Sequence, residues 1–368
     1  MKGLVRPNIL NVKNYIPGKP IEEVERELGL KNVIKLASNE NCFGPSPMAV
    51  KAIRRALRKI NRYPDGASFY LKKKLAGILG VGENNLIFGN GSDEVICMAI
   101  KAFVGDGDEC VIAKPTFLIY EIASQLQNAR IKLIPMTKEL RYDLKEMKKA
   151  ITNNTRMVFI ANPDNPTGTY VTKKALDEFL HGLPEKLIVF LDEAYFEFAN
   201  RSFKDYPNGL DYLKRPGMIV ARTFSKVYGL AGLRIGYGIS SPEVISYMER
   251  VREPFNINIL AQEAALAALD DKAFLKKTIA HVETEREFLY SAFRKLELEY
   301  IRSATNFIVV NVGKDCKAVF NDLLKEGVIV RDMKAWGLDT FIRVTVGTKA
   351  ENRKFIAALK KVIKGVNS

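Results

Sequence analysis

Met157-Val158-Phe159-Ile160-Ala161 runs without a polar residue into Asn162-Pro163-Asp164-Asn165-Pro166-Thr167-Gly168. An unbroken apolar run bounded by turn residues reads as a strand buried on both faces. Two prolines and a glycine forbid regular structure beyond it, so Asn165 is displayed at a strand end. The same pattern recurs on either side. Leu86 to Phe88, Glu109 to Ala113, Lys132 to Pro135, Leu187 to Leu191, Met218 to Arg222 and Ile235 to Gly238 are short strand-like runs alternating with helical patterns from about residue 70 to 240. That alternation predicts an α/β fold with a mostly parallel sheet covered by helices. In such sheets ligands gather outside the carboxyl ends of the strands, which makes the residues just after each run the first candidates.

Those residues are chemically distinctive. Leu187 to Leu191 ends in Asp192-Glu193-Ala194-Tyr195, which sets a carboxylate and a phenol where a buried strand emerges. Met218 to Arg222 ends in Thr223-Phe224-Ser225-Lys226, followed by Tyr228-Gly229-Leu230-Ala231-Gly232-Leu233-Arg234-Ile235-Gly236-Tyr237. A lysine after an apolar strand and before a glycine-rich turn with an arginine is placed to be desolvated beside an anion site. Phe88-Gly89-Asn90-Gly91-Ser92-Asp93-Glu94 opens an apolar helix, Val95 to Phe103. Gly91 permits close approach there, and the free amides at the helix start favour a phosphate. Taken singly, each motif also reads as ordinary structure: a strand-to-helix loop, an ion-pair partner, a surface charge or a turn that binds nothing.

Beyond about Glu243 the pattern changes to one long helical stretch, Leu260 through Leu296. Two strand-like runs follow, Asn306 to Val312 and Phe341 to Val346, with helices over Cys316 to Lys325 and Ala350 to Lys364, the makings of a small α+β domain. The expected division is an N-terminal arm over 1–34, holding a short helix around Ile21 to Leu28, a large domain over 35–255 and a small C-terminal domain over 256–368. A length of 368 residues suits two domains at roughly 150 residues each. Composition excludes other classes. With 47% hydrophobic residues the chain is globular, not disordered. No apolar run approaches a membrane span, and four scattered cysteines without a secretory leader suggest the cytoplasm. The net charge of +15 is spread through amphipathic stretches such as Val50 to Ile60, so neither a nucleic-acid nor a membrane role is expected. His181 and His281 lack partners at metal-ligand spacing, so no metal site is expected.

N-P-D-N-P-T-G, D-E-A-Y, T-F-S-K and G-L-A-G-L-R-I-G-Y, in this order, resemble the fold-type-I pyridoxal-phosphate aminotransferases over nearly the whole chain. The flanking Asn14-Tyr15-Ile16-Pro17-Gly18-Lys19-Pro20, Ser38-Asn39-Glu40-Asn41, Arg62-Tyr63-Pro64-Asp65, Val328-Ile329-Val330-Arg331 and Phe341-Ile342-Arg343-Val344-Thr345 are similar to the histidinol-phosphate branch of that family. The resemblance implies pyridoxal 5'-phosphate as cofactor. Lys226 would attach it covalently and serve as the base, Asp192 would pair with its ring nitrogen, and Asn165 and Tyr195 would hydrogen-bond its ring oxygen. Phe117 would stack on its ring. Gly91, Ser92, Asp93, Thr223, Ser225 and Arg234 would surround its phosphate, joined by Tyr63 from the neighbouring subunit of a homodimer. Arg331 and Arg343 would grip the anionic group of the substrate, with Tyr15 closing over it and Asn165 alongside. One departure is Cys42, where relatives usually carry proline.

The activity so implied is reversible transfer of an amino group between histidinol phosphate and 2-oxoglutarate, giving imidazole acetol phosphate and glutamate. An aromatic aminotransferase acting on tyrosine or phenylalanine is the main alternative. A threonine-phosphate decarboxylase and a non-catalytic cofactor-binding regulator are further ones. Lys226 argues against the regulator.

Overall fold

In the computed structural model, which describes residues 2–12, 14 and 16–365, the apolar runs become strands. In chain order they are β1 (Ile34–Lys35), β2 (Leu86–Gly89), β3 (Glu109–Lys114), β4 (Arg130–Pro135), β5 (Thr155–Ala161), β6 (Ile188–Asp192), β7 (Met218–Thr223) and β8 (Gly236–Ile239), then β9 (Tyr300–Ile301), β10 (Phe307–Asn311), β11 (Val328–Ile329), β12 (Arg331–Asp332) and β13 (Phe341–Thr345). Seven of them make the main sheet in the order β2-β8-β7-β6-β5-β3-β4. Its pairs are parallel except those of β8, which runs antiparallel to both β2 and β7.

This order locates the site. From β3 the chain builds outward to β4, then returns to lay β5, β6 and β7 on the other side of β3. The reversal between β3 and β5 leaves a crevice at their carboxyl ends, because the helices after the two strands depart to different sides. Register aligns Ala161 with Asp192 and Asp192 with Ala221, so the segments following β5, β6 and β7 emerge at one level. Glycine in β8 has a packing reason. A Cβ on Gly236 would lie 2.5 Å from the Ser92 amide, so only glycine lets β8 pass under the start of the helix Ser92–Phe103.

The C-terminal part forms a four-stranded sheet in the order β12-β13-β10-β9, with a separate hydrophobic cluster that includes Phe307, Phe355 and Leu323. β1 from the N-terminal region pairs with β11, which ties that region to the C-terminal part. The long helix expected over Leu260 through Leu296 is two helices, Ile259–Ala268 and Lys272–Lys295. Apolar periodicity runs through the break, but the Asp271 carboxylate accepts from the Phe274 amide and caps a new helix. Ala261, Ala264, Ala265 and Ala268 of the first of these helices pack into the main-sheet hydrophobic cluster. Among the described residues no helix is long and apolar enough to cross a membrane.

Candidate active site

A cavity of about 260 Å³ lies at the crevice. The loops after β3, β5, β6 and β7, the start of the helix Ser92–Phe103 and the C-terminal sheet all contribute to its wall. Ser92, Asp93, Phe117, Asn165, Asp192, Tyr195, Thr223, Ser225, Lys226, Arg234, Arg331 and Arg343 line it together. Gly91 stands beside them with φ +83°, and a Cβ there would collide with Arg234 Nη2. Of the remaining expected residues, Tyr63 is the one expected from a neighbouring subunit. Tyr63 is 82% exposed and stacks on Phe255 at 4.8 Å, away from the cavity of its own chain. Tyr15 lies outside the described residues.

The loops are held by side chains that the turn itself supplies. Asn162 is fully buried, donates to Val171 O at 3.1 Å and accepts from Val171 N at 2.8 Å, closing the loop that displays Asn165. Asp164 is buried, and its carboxylate accepts from Thr116 Oγ1 at 2.6 Å and from Thr167 N and Oγ1 at 3.0 and 2.8 Å. Because Thr116 precedes Phe117, this one carboxylate joins the loop carrying Phe117 to the loop carrying Asn165. The Thr223 hydroxyl takes part in its own turn, accepting from Ser225 N at 3.1 Å and donating to Ile235 O at 3.3 Å.

Charge is arranged around the cavity in three zones. At one end Arg234 donates to Asp93 at 3.0 Å and approaches Ser225 Oγ at 3.5 Å, beside the open amides of the helix N-terminus. In the floor Asp192 is 5% exposed. Burial pushes its carboxyl up to about 6, although hydrogen bonds from Tyr120 OH at 2.7 Å and Ala194 N at 3.0 Å oppose the rise. Among the described residues no cation pairs with it, so a buried carboxylate faces the cavity without a counter-charge. At the other end Arg343 donates to Asn165 Oδ1, and to Ala37 O at 2.9 Å. Since Arg343 takes the amide oxygen, Asn165 offers its Nδ2 donor elsewhere. Arg331 and Arg343 both lie against the Trp336 indole, at 5.3 and 5.9 Å.

Lys226 is half-buried at the cavity wall, with its Nζ 5.6 Å from the Tyr195 ring centroid. Burial, and then the Arg343 cation, push its ammonium down to about 8. The Tyr195 hydroxyl accepts from Asn39 Nδ2 at 2.9 Å.

Sequence reasoning missed Tyr120, Trp336 and Asn39. Tyr120 had a detectable signal, a polar-tipped aromatic three residues after Phe117 and one helical turn away. Trp336, the single tryptophan, sits in the C-terminal part but donates to Thr116 O at 2.9 Å. Asn39 adopts φ +56° and lies in the Ser38-Asn39-Glu40-Asn41 segment, which the resemblance includes but to which it gives no role at the site.

A desolvated lysine, a buried carboxylate, an anion cradle at a helix start and a pair of arginines at the far end thus meet in one cavity. The Aminotransferase class I and II family matches residues 31–359. A histidinol-phosphate aminotransferase of Moorella thermoacetica is 51% identical over 97% of this chain and 92% of that protein. Histidinol-phosphate aminotransferase 2 of Carboxydothermus hydrogenoformans is 49% identical over 98% and 99%. The crystal structure of the Sinorhizobium meliloti histidinol-phosphate aminotransferase, in complex with pyridoxal-5'-phosphate, superposes with a TM-score of 0.90 at 31% identity, covering 98% of each chain. The chain belongs to the class I and II aminotransferases and, within them, to the histidinol-phosphate aminotransferases.

Proposed function

We propose that the protein transfers the amino group of histidinol phosphate to 2-oxoglutarate, reversibly, using pyridoxal 5'-phosphate. The observation that carries this reading is the buried Asp192 facing the same cavity as Lys226, with anion-binding groups at both ends. The residues fit that cofactor. Asp192 would hold a protonated ring nitrogen, Phe117 would cover a ring face, Asn165 Nδ2 and the Tyr195 hydroxyl would meet a ring oxygen, and Ser225, Arg234, Thr223, Gly91 and the Ser92 and Asp93 amides would hold the phosphate. When bound, the cofactor supplies an aldehyde for the amine and a ring that accepts the electrons left when the α-proton departs.

The chain's own part is proton transfer and positioning. A lysine with its ammonium near 8 supplies a neutral amine in the physiological range, able to take a proton at Nζ from the substrate α-carbon and, with a bound cofactor, to deliver it to the cofactor carbon. Arg331 and Arg343 would bind the phosphate of histidinol phosphate or the distal carboxylate of the keto acid, two anions that one guanidinium pair accepts in turn. The loaded protein should lose its visible absorbance on adding histidinol phosphate and regain it with 2-oxoglutarate. A response to tyrosine or phenylalanine at comparable rates, with none to histidinol phosphate, would favour an aromatic substrate instead.

In this scheme Arg331 meets the substrate, the backbone carbonyl of Ile16 at 2.9 Å and the Trp336 indole, and holds no other residue proposed to touch the cofactor. Arg331→Lys should raise KM for both anionic substrates roughly 10-fold, the worth of about one charged hydrogen bond. Arg343→Lys should lower kcat as well, because Arg343 also fixes Asn165. Equal KM changes with kcat untouched in both variants would refute the distinction.

The active unit would be a homodimer. Tyr63 lies on an exposed stretch that also carries Leu57, Ile60, Phe69 and Tyr70, a surface suited to a second copy and to delivering Tyr63 into the partner's cavity. Mixing Lys226→Ala with Tyr63→Ala should then restore activity, to about a quarter of wild type for random pairing of two-fold subunits. Unrestored activity in proven mixed dimers would mean that Tyr63 serves no neighbouring site.

A further inference from the structure

Tyr120 lies in the first turn of the helix Leu118–Leu126 and is fully buried. Its ring is stacked on Phe159 of β5 at 4.7 Å and meets Phe117 edge-on at 5.7 Å, while its hydroxyl donates to Asp192 Oδ2 at 2.7 Å. One side chain thus reaches both the ring that would cover the cofactor face and the carboxylate that would pair with its nitrogen. Asp192 needs such help. It sits in a low-dielectric floor, where the neighbouring Asp93 and Glu193 both disfavour its charge, while Lys226, Arg234 and Tyr195 face the same cavity. Asp93 is paired with Arg234 and Glu193 with Arg222, so neither cation is committed to Asp192. What supports the charge is two donors, Tyr120 OH and the Ala194 amide.

We propose that Tyr120 is a positioning residue for the cofactor: its hydroxyl keeps Asp192 ionised and fixes Oδ2, so that the carboxylate is ready for a ring nitrogen. This rests on the cofactor reading above. The hydroxyl is suited to the task because burial and the neighbouring Asp192 charge hold its own proton well beyond the usual phenol range, so it remains a donor at every working pH. The ring contacts do something separate. They set the height of Phe117 and survive replacement by phenylalanine.

The test separates hydroxyl from ring without using turnover. Pyridoxamine 5'-phosphate, which cannot bond covalently to Lys226, is titrated into cofactor-free wild type, Tyr120→Phe, Asp192→Asn and the double variant from pH 5 to 9. Ligand ionisations are common to all four proteins, so differences between curves report the protein. Wild type should lose affinity on the acid side as Asp192 takes a proton. In Tyr120→Phe that midpoint should move up by about one pH unit, the weight of a lost hydrogen bond to a charge, with affinity at pH 9 within about two-fold of wild type. On the Asp192→Asn background Tyr120→Phe should change nothing further. Superimposable wild-type and Tyr120→Phe curves would overturn the proposal, as would an equal loss on both backgrounds, which would assign Tyr120 to packing alone. Failure of wild type to bind the probe at any pH would instead defeat the cofactor reading on which it stands.

Discussion

Lys226→Ala is expected to abolish transamination, with a loss of about 10⁴-fold or more, since the residue is asked to be both the covalent anchor and the base. The folded protein should survive the change. Lys226 sits in a turn whose hydrogen bonds come from backbone, Gly229 N to Lys226 O and Leu230 N to Phe224 O, and among the described residues no hydrogen bond holds its Nζ. Stability should therefore be unchanged or rise. The sign follows from the ammonium, which ordinarily titrates at 10.5 and is pushed down to about 8 in the folded chain. A cation disfavoured by folding costs stability in full below about 8, and the cost disappears as pH climbs through 10.5. Unfolding of the cofactor-free proteins should accordingly show Lys226→Ala ahead of wild type at neutral pH, with the gap closing in alkali. The same shift predicts that wild type captures the cofactor aldehyde faster as pH rises through about 8, then levels off. A gap that widened in alkali, or a variant retaining more than about a hundredth of wild-type turnover, would remove Lys226 from its assigned role.

Much of this site was legible because its parts lie where an apolar run stops. Asp192, Asn165 and Lys226 each follow a strand buried on both faces, and prolines or glycines mark the turn that displays them. Burial class, turn chemistry and strand order then suffice to bring them together. The parts that were not legible owe their place to contacts between distant segments. Trp336 joins the site through the Thr116 carbonyl, and Asn39 through Thr345 and Tyr195, links with no period or spacing in the sequence. The two-residue strands β1, β9, β11 and β12 are too short to show alternation. The helix break before Lys272 was hidden because alanine-rich periodicity continues on both sides of it, while the capping role of Asp271 shows only in three dimensions. Cys42, the departure from the family's proline, is partly buried, and burial pushes its thiol up to about 12, so it stands as an unreactive filler of the turn.

Arg222→Met should destabilise the protein by about 3–5 kcal/mol, the cost of leaving one member of a buried ion pair alone. The pair is nearly sealed, with side-chain exposures of 4% for Arg222 and 0% for Glu193. Arg222 donates to Glu193 Oε2 through Nε at 2.9 Å and Nη2 at 2.7 Å, and its guanidinium lies 3.5 Å over the Phe196 ring centroid. Glu193 also accepts from the Gly209 amide at 2.8 Å. Burial raises the Glu193 carboxyl and Arg222 opposes that rise. Without the arginine the carboxyl climbs further, so the penalty is full where Glu193 must stay charged and shrinks as acid protonates it. Denaturant titrations should therefore show the deficit at pH 8 exceeding that at pH 5. Adding Glu193→Leu should recover most of the loss, since removing both charges removes the isolated one. A deficit below about 1 kcal/mol would mean that Glu193 finds another partner. The consequence reaches the site by one residue on each strand. Arg222 precedes Thr223 and Glu193 follows Asp192, so the pair clamps β6 to β7 immediately behind the carboxylate and the turn carrying Lys226. If that clamp sets the spacing between the two, Arg222→Met should also weaken binding of pyridoxamine 5'-phosphate under conditions where the variant remains folded, and the double variant, with its strands repacked around apolar side chains, should regain part of it.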